Sequence, residues 1–210
     1  MRPLNVLSLC DGIACGAVAL RNLGIPVNHY YGSEIKKAAL KLTRIRWPDH
    51  VELGDVNSIA VEHDAEGNGV RLTSEKGSWY EPEGIDLFLC GSPCQSFSSA
   101  MPAEKRIGLK DPKRSGLFLV CHQVFKAVSP RWYLWENVAS MRPADKETLS
   151  RMIGCEPVFI DSADFSAQMR KRLYWTNIPL GPRPPKCEDT LQDILESGIA
   201  VRVRKRKDDA

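Results

Sequence analysis

Short apolar runs alternate along the chain with segments in which apolar residues recur every three or four positions. Such runs are typical of buried strands, and the longer spacing is typical of helices packed on one face. The predicted strands cover residues 5–9, 29–33, 51–53, 85–90, 132–135, 158–160 and 173–176. The predicted helices cover residues 13–23, 35–46, 117–128 and 144–153. This alternation favours an α/β fold with a mostly parallel sheet and helices on both faces.

Two segments interrupt the alternation. Residues 64–84 are polar and glycine-rich, which predicts a surface hairpin or loop insertion. Residues 92–115 carry prolines, glycines and many charges, and a long loop of this kind in a compact domain often acts as a lid. After Pro179 the pattern decays into a proline-rich run. We therefore expect a core domain over 1–180 and a proline-rich, basic tail over 181–210.

Composition narrows the class of protein. The chain has 210 residues, of which 43% are apolar and 26% charged, as in ordinary globular domains. No apolar run approaches the ~20 residues of a membrane span, and the N-terminus enters a strand directly, so we expect neither a membrane partner nor a signal peptide. Seven cysteines without an export signal indicate reduced thiols. With four histidines and no zinc-site spacing, we expect no metal.

The distribution of charged residues along the chain is more informative about possible partners than the net charge. The net charge of +3 is too small to indicate a nucleic-acid partner. Basic residues are concentrated at 170–172 and at 202–207. Each patch is either a solvated surface or a phosphate-binding site.

Residues 91–98, Gly-Ser-Pro-Cys-Gln-Ser-Phe-Ser, follow the predicted strand 85–90. Glycine and proline end the strand and leave Cys94 at the start of a loop, at the sheet edge where parallel α/β folds bind ligands. A thiol in that position is placed as a nucleophile. Free cysteines are also frequent in cores, and we interpret Cys90 and Cys121 as packing residues. The local sequence leaves a catalytic and a structural role for Cys94 equally open.

Polar residues follow three successive predicted strands. An Asp11-Gly12 turn follows the first strand, Glu34 the second and Asp55 the third. Glycine lets the backbone approach a ligand, and free N–H groups at the start of the next helix can bind it. An acid after the second strand can accept bonds from both ribose hydroxyls, and Asp55 can accept one from an adenine amino group. Together they predict an adenosine pocket, although each could be a helix cap.

Two later segments add candidate chemistry. Glu136 ends the fifth predicted strand, whose apolar body should bury the surroundings of the carboxylate. Burial would favour the protonated acid and make it a proton donor, whereas a helix cap or an ion pair is the alternative. Gln168, Arg170 and Arg172 precede another strand. Alternation would place all three on one face, where two guanidinium groups can hold a phosphate or a base carbonyl.

Six motifs occur in order along the chain. They are Asp11-Gly12, Ser33-Glu34, Gly54-Asp55-Val56, Gly91-Ser92-Pro93-Cys94-Gln95, Glu136-Asn137-Val138 and Gln168-x-Arg170-x-Arg172. In this order and spacing they resemble the cytosine-5 DNA methyltransferase family over about residues 4–179. Residues 7–14 and 172–179 are most similar to the animal de novo branch of that family.

The resemblance implies a Rossmann-like fold that uses S-adenosylmethionine, releases S-adenosylhomocysteine and needs no metal. It implies DNA as the partner and methylation at C5 of an extruded cytosine through a covalent cysteine adduct, with the loop 96–115 closing over the base. It assigns catalysis to Cys94, Glu136, Arg170 and Arg172. It assigns cofactor binding to Cys10, Asp11, Gly12, Ile13, Glu34, Ile35, Asp55, Val56, Gly91 and Pro93. It assigns DNA binding to Gln95, Ser96, Ser98, Asn137 and Gln168.

Two departures from the family pattern affect these expectations. The family usually has Phe where this chain has Cys10, so we expect a lower cofactor affinity unless Trp175 or Tyr31 compensates. The family's target-recognition region and its last two motifs are expected after Pro179, where about 30 residues remain.

Several explanations of the second departure stay open. A second polypeptide or another copy of the chain supplies the region, or the chain is a compact phage-like variant with weak specificity. Alternatively, it is a non-catalytic or partner-dependent subunit of a split methyltransferase. A cytosine-5 tRNA methyltransferase is a further alternative, because one branch with this fold methylates tRNA. We expect a cytoplasmic protein of a bacterial or phage-infected cell, or a nuclear one in a eukaryote.

Overall fold

The computed structural model describes residues 2–183, 185–190 and 192–195, which contain ten strands and four α-helices. The strands are β1 (Leu4–Leu9), β2 (Val27–Ser33), β3 (Val51–Glu52), β4 (Ala60–His63), β5 (Val70–Ser74), β6 (Gly77–Glu81), β7 (Leu87–Cys90), β8 (Trp132–Val138), β9 (Val158–Asp161) and β10 (Lys171–Thr176). The helices are α1 (Cys15–Asn22), α2 (Lys37–Arg46), α3 (Leu117–Val128) and α4 (Pro143–Ile153). Over the described ranges, no helix is long and apolar enough to cross a membrane.

Seven strands form the main sheet in the order β3-β2-β1-β7-β8-β10-β9. The pairs from β3 through β8 are parallel, whereas β10 runs antiparallel to β8 and to β9. The strand order reverses between β1 and β7, and the crevice at such a reversal is the usual ligand site of an open α/β sheet. The expected mostly parallel α/β architecture is therefore confirmed.

Helices cover both faces of the sheet, because successive strand residues point to opposite sides. On one face Val6 packs in a cluster with Leu20 of α1. On the other, Leu7 packs in a larger cluster with Phe118 of α3 and Leu149 of α4. The two cores hold β1 and β7 from both sides and so fix the position of the crevice at their carboxyl ends.

Local sequence accounts for the helix ends. Helix α4 starts with Pro143 in its first turn, where the missing N–H costs no helical bond. It ends at Gly154, whose φ of 92° is a left-handed conformation that favours glycine. Helix α2 stops at Arg46, just before Trp47 and a proline, because the residue preceding proline disfavours helical geometry.

The predicted insertion is larger than the sequence indicates. Strands β4, β5 and β6 form a separate antiparallel sheet that starts at Ala60 rather than at Asp64. The buried Glu81 at the end of this sheet accepts hydrogen bonds from Asn5 Nδ2 at 2.9 Å and from the Tyr31 hydroxyl. The insertion is thus tied to β1 and β2 of the main sheet rather than extending freely from it.

Two boundaries differ from the prediction where the site residues lie. Strand β8 continues to Val138, so Glu136 lies inside the strand and pairs with Tyr174. Strand β10 begins at Lys171, so Gln168 and Arg170 precede it. The expectation that alternation along a strand aligns Gln168 and Arg170 with Arg172 is therefore wrong.

The predicted tail lies only partly within the described residues. Residues 181–183 and 185–190 form no regular element, and the Cys187 amide donates to the Asp164 carbonyl at 3.0 Å. The basic run 202–207 lies outside the described residues. The division at residue 180 stays a prediction.

Candidate active site

Two cavities open at the carboxyl ends of the parallel strands. The first, of about 400 Å³, lies beyond β1, β2 and β7, and we call it the strand-end cavity. The second, of about 650 Å³, lies beside Val138, Phe159 and the segment 168–172, and we call it the outer cavity. Cys94, Arg170 and Arg172 line both cavities. The candidate nucleophile therefore lies where the two meet.

The strand-end cavity gathers most of the residues assigned to cofactor binding. Those that line it are Cys10, Gly12, Glu34, Ile35, Asp55, Val56, Gly91 and Pro93. Gln95 and Glu136 line it as well. Residues from five separate parts of the sequence meet here because the strands that carry or precede them end at one edge of the sheet.

Glu34 joins the turns that follow β1 and β2. Its Oε2 accepts from the Gly12 amide at 2.9 Å, and its Oε1 accepts from the Ile35 and Lys36 amides at 2.8 Å. A carboxylate offers about four acceptor positions, so three backbone bonds leave capacity for a ligand hydroxyl. Glu34 thus joins the two turns through backbone bonds without capping α2, and it also lines the cavity.

Asp55 is both a cap and a cavity residue. Its Oδ1 accepts from the backbone and side-chain nitrogens of Asn57 at 2.9 and 2.8 Å, which closes the short helical turn 56–58. Among the described residues no donor reaches its Oδ2. This oxygen remains available to a ligand amino group.

Asp11 and Ile13 do not join the cavity. The Asp11 Oδ1 accepts from the hydroxyls of Ser8 at 2.6 Å and Tyr30 at 2.7 Å. Burial raises the pKa of Asp11, which the two hydroxyl bonds oppose. The Asp11 side chain supports the glycine turn through these bonds. Ile13 is 39% exposed and does not line the cavity. Their predicted role in cofactor binding stays a prediction, since neither side chain lines the cavity.

Cys10 belongs to a cluster of thiols. Its side chain is hydrogen-bonded to Cys121, and that bond together with burial raises the pKa of Cys10 far above its usual range. Burial also raises the pKa of the fully enclosed Cys90. Thiols held protonated in this way are inert, which agrees with a packing role for Cys90 and Cys121.

The two aromatic residues expected to compensate for Cys10 do not reach the cavity. Trp175 is fully buried, and its Nε1 donates to Ser150 Oγ at 2.9 Å. Tyr31 is 2% exposed, and its hydroxyl donates to Glu81. Both rings are held in the core, so the compensation is ruled out by their positions.

Cys94 differs from the clustered thiols. It is half-buried, and its carbonyl accepts from the amides of Phe97 and Ser98, each at 2.9 Å. The turn brings the chain back so that Phe97 is fully buried in the core. The thiol is thus presented at the head of an anchored turn.

Glu136 and Arg172 form an ion pair beside Cys94. The Arg172 Nε lies 2.5 Å from Glu136 Oε1, and the two side chains are 17% and 30% exposed. A Cβ at Gly91 would lie 3.6 Å from Glu136 Oε2, so the second oxygen faces the glycine backbone. The prediction that Glu136 has apolar surroundings is therefore wrong, and the alternative, an ion pair, is what the structure has. The paired strands β8 and β10 bring these residues together.

The outer cavity gathers a second set of predicted residues. Ser98 and Gln168 line it with Arg170, Arg172 and Cys94. Although Gln168 and Arg170 precede β10, the segment turns so that both still face this cavity. The predicted grouping is thus present, for a different geometric reason than strand alternation.

Ser96 and Asn137 are not exposed to either cavity. Ser96 is fully buried, and its hydroxyl donates to Asp111 Oδ2 at 2.6 Å. Asn137 is 2% exposed, and its Nδ2 donates to the carbonyl and hydroxyl oxygens of Ser92, both at 3.2 Å. The predicted DNA contact stays a prediction for both, because their polar groups are bonded within the protein. Each instead supports the turn that carries Cys94.

Several lining residues carry no sequence signal. Lys36 and Lys113 line the strand-end cavity, whereas Ser140 and Met169 line the outer cavity. Residues of these types occur on any protein surface, and their role depends on which loops meet at the sheet edge. No group of three or more His, Cys, Asp or Glu residues within the described chain is placed to hold a metal ion.

Comparisons with known proteins relate the chain to cytosine-specific DNA methylases. A family model described as C-5 cytosine-specific DNA methylase matches residues 4–178. The type II methyltransferase M.NlaIV of Neisseria lactamica is 30% identical, over 93% of this chain and 46% of its own length. The orphan methyltransferase M.Rho11sI of Bacillus phage rho11s is 34% identical, over 70% of this chain and 25% of its own. The chain spans about half the length of the first relatives or less.

A solved structure supports the fold independently. A DNA modification methyltransferase encoded within an E. coli prophage superposes with a TM-score of 0.57 and 19% identity, over 82% of this chain and 46% of that one. The identity is low, so this likeness bears on the Rossmann-like fold alone.

Proposed function

Because the chain belongs to the C-5 cytosine-specific DNA methylase family, we propose that it methylates C5 of cytosine in DNA through a covalent adduct on Cys94. The observation that carries the proposal is the meeting of the two cavities at Cys94. A cofactor in the strand-end cavity and a base in the outer cavity would approach the same thiol from two sides.

The chemistry assigns a distinct task to the thiol. Cytosine C5 is a poor nucleophile, so the Cys94 sulfur first bonds to C6 and the electron pair of the C5–C6 double bond moves to C5. After C5 has gained a methyl group, it loses its proton to a base. The electron pair of that C–H bond re-forms the double bond as the C6–sulfur bond breaks, and the thiolate is released.

The Glu136–Arg172 pair is suited to hold the base. Glu136 would bond to N3 and the exocyclic amine, where charge builds up when sulfur adds to C6. Its contact with Arg172 at 2.5 Å fixes its orientation before the base arrives, and preorganised groups of this kind give the largest stabilisation of a transition state. Arg170, Gln168 and Ser98 would hold the base and its phosphate from the outer cavity.

The strand-end cavity fits S-adenosylmethionine. Glu34 has acceptor capacity for a ribose hydroxyl, the Oδ2 of Asp55 can accept from the adenine amine, and Gly91 leaves its backbone open. The cofactor, when bound, supplies the methyl group from its sulfonium sulfur and leaves as S-adenosylhomocysteine. Cys10 offers no ring for the adenine, so we propose a lower cofactor affinity than a Phe at this position would give.

A methyl-transfer assay tests the proposal. The protein is incubated with tritiated S-adenosylmethionine and either mixed-sequence duplex DNA or tRNA. We expect label in DNA that survives at C5 of cytosine after digestion to nucleosides. Label in tRNA alone would favour a tRNA methyltransferase. No label in either substrate would count against methyltransferase activity.

We propose a second candidate function, in which activity depends on a partner. Each relative has a long region without counterpart in the 210 residues. We propose that a second polypeptide or another copy of the chain supplies target recognition. The assay above, repeated after adding the companion polypeptide or raising the protein concentration, would then gain activity.

Two finer proposals concern origin. Bacterial and phage relatives support a cytoplasmic enzyme of a bacterial or phage-infected cell, as in restriction–modification. The similarity to the animal de novo branch stays a prediction, which rests on the amino-acid sequence of residues 7–14 and 172–179.

A further inference from the structure

The loop that follows Cys94 is closed at its base by three side chains. Ser96, Asp111 and Ser115 form what we call the loop clasp. The Ser96 hydroxyl donates to Asp111 Oδ2 at 2.6 Å, and the Ser96 amide donates to Ser115 Oγ at 3.0 Å. The Ser96 carbonyl accepts from the Gly108 amide at 3.2 Å. Every polar group of Ser96 is therefore bonded to the far end of the same loop.

The two serines of the loop clasp are buried, and its aspartate is charged. Ser96 and Ser115 are both 0% exposed. The hydrogen bond from Ser96 is the main cause of a lowered pKa of Asp111, so the acceptor is a carboxylate. A hydroxyl-to-carboxylate bond of 2.6 Å is of the short, strong class.

The backbone of Asp111 adds a second fastening. Its carbonyl accepts from the Gly116 amide at 2.7 Å, and its Oδ1 accepts from the Lys113 amide at 3.2 Å. A Cβ at Gly116 would lie 2.4 Å from the Asp111 carbonyl oxygen, so this approach requires glycine. Asp111 thus joins the last part of the loop to the residue that precedes α3.

Ser96 is two residues from Cys94, and the turn between them is rigid. The Cys94 carbonyl accepts from both Phe97 and Ser98, and the Phe97 ring is fully buried. Any shift of Ser96 must therefore be transmitted to the turn that carries the thiol.

We propose that Asp111 is a positioning residue for Cys94, acting through the hydroxyl of Ser96. This inference rests on the proposed function, because it concerns the geometry of the adduct-forming thiol. Asp111 fixes the two ends of the loop, so that the Cys94 sulfur points toward a cytosine in the outer cavity. Displacements of about 1 Å at a reacting atom can cost ~100-fold in rate.

The test compares Asp111→Ala, Asp111→Asn, Ser96→Ala and the double alanine variant, with Glu104→Ala as an exposed acid of the same loop. Adduct formation is timed in a single turnover on DNA containing 5-fluorocytosine. Affinity for S-adenosylhomocysteine is measured by calorimetry. We expect each single alanine variant to slow the adduct about 10-fold, the loss of one bond to a charged group.

The pattern across variants separates positioning from general damage. The double variant should be no slower than Asp111→Ala, because Asp111→Ala alone already removes the bond from Ser96. Asp111→Asn should recover most of the rate, since its amide oxygen still accepts from Ser96. Glu104→Ala and the affinity for S-adenosylhomocysteine should stay within twofold of the wild type, a margin below one hydrogen bond. Unchanged rates in Asp111→Ala, additive losses, or an equal fall in cofactor affinity would overturn the proposal.

A second readout does not depend on methylation. Iodoacetamide labelling of Cys94, followed by mass spectrometry, should be severalfold faster in Asp111→Ala than in the wild type, with the exposed Cys15 as the internal reference. If the wild type forms no adduct, the proposed function fails, whereas equal labelling of Cys94 in the two proteins would refute the clasp itself.

Discussion

At the scale of single residues, Asp55 shows how one carboxylate can serve the fold and a ligand. One oxygen closes the turn 56–58 through Asn57, while the other faces the strand-end cavity. Glu34 is shared in the same way between three amides and the cavity. The alternatives of cap and binding residue therefore do not exclude each other at this site.

Asp55→Asn separates the two roles of Asp55. The amide oxygen of asparagine can still accept from the Asn57 amide, but its NH₂ group replaces the acceptor that faces the cavity. We expect the dissociation constant of S-adenosylhomocysteine to rise about 10-fold, the value of one lost hydrogen bond with a charged acceptor. The urea midpoint should stay unchanged. Calorimetry and urea unfolding measure the two quantities.

Asp64→Asn is the matched control for this variant. Asp64 also caps a turn, accepting from the amides of Asn68 at 2.9 Å and Gly69 at 2.7 Å, but it lies in the insertion. Its substitution should leave cofactor affinity unaffected. Equal losses in both variants would mean that the effect comes from capping and not from a bond to adenine.

At the scale of elements, strands with strong apolar periodicity are predictable and the residues between them are less so. The sequence predicts α3 at its observed bounds, because an apolar face repeats over 117–128. It misses β4, whose residues are mostly exposed. It also ends β8 too early, since Glu136 and Asn137 are polar yet continue the strand toward the site.

The candidate site was predictable to a similar degree. Motif order brings Cys94, Glu136 and Arg172 to one edge of the sheet, because the parallel strands end there and the antiparallel β10 begins there. The directions of individual side chains are not encoded in motifs. Asp11 turns toward Tyr30, and Ser96 turns toward Asp111, because each finds a partner from a distant part of the chain.

The attachment of the insertion to the main sheet can be tested at Glu81. Its side chain is 3% exposed and also contacts His29 Nδ1 at 2.6 Å, in addition to Asn5 and Tyr31. Glu81→Ala leaves buried donors without an acceptor, so we expect it to lower the free energy of unfolding by about 3 kcal/mol. Glu83→Ala, which removes an exposed partner of Arg2, should cost about 0.5 kcal/mol or less. Urea unfolding gives both values, and similar losses would contradict the account.

At the scale of the whole molecule, the sheet separates an edge that carries chemistry from an opposite edge that carries packing. The cavities, the basic segment 170–172 and Cys94 lie at the carboxyl ends of the parallel strands. At the amino end of β3, His50 stacks between Tyr30 and Trp47, with ring centroids 4.2 and 5.2 Å away. Stability and activity should therefore respond to different changes.

The stacked His50 predicts how stability depends on pH. Burial lowers the pKa of His50 from 6.5 to about 4, so between these values the unfolded chain binds a proton that the folded chain does not. The free energy of unfolding should therefore fall as the pH drops from about 6.5 to about 4. His50→Gln should flatten this part of the profile in urea unfolding, while the exposed His63→Gln should not. An unchanged profile in His50→Gln would assign the dependence to other groups.

The central claim is that Cys94 forms a covalent bond to cytosine, and trapping measures it directly. The protein is incubated with S-adenosylmethionine and duplex DNA containing 5-fluorocytosine, where fluorine replaces the proton whose loss would release the enzyme. The account predicts a denaturant-stable protein–DNA adduct in the wild type and in Cys187→Ala, mapped by mass spectrometry to the peptide with Cys94. It predicts no adduct in Cys94→Ala. An adduct that persists in Cys94→Ala, or that maps to another cysteine, would contradict it.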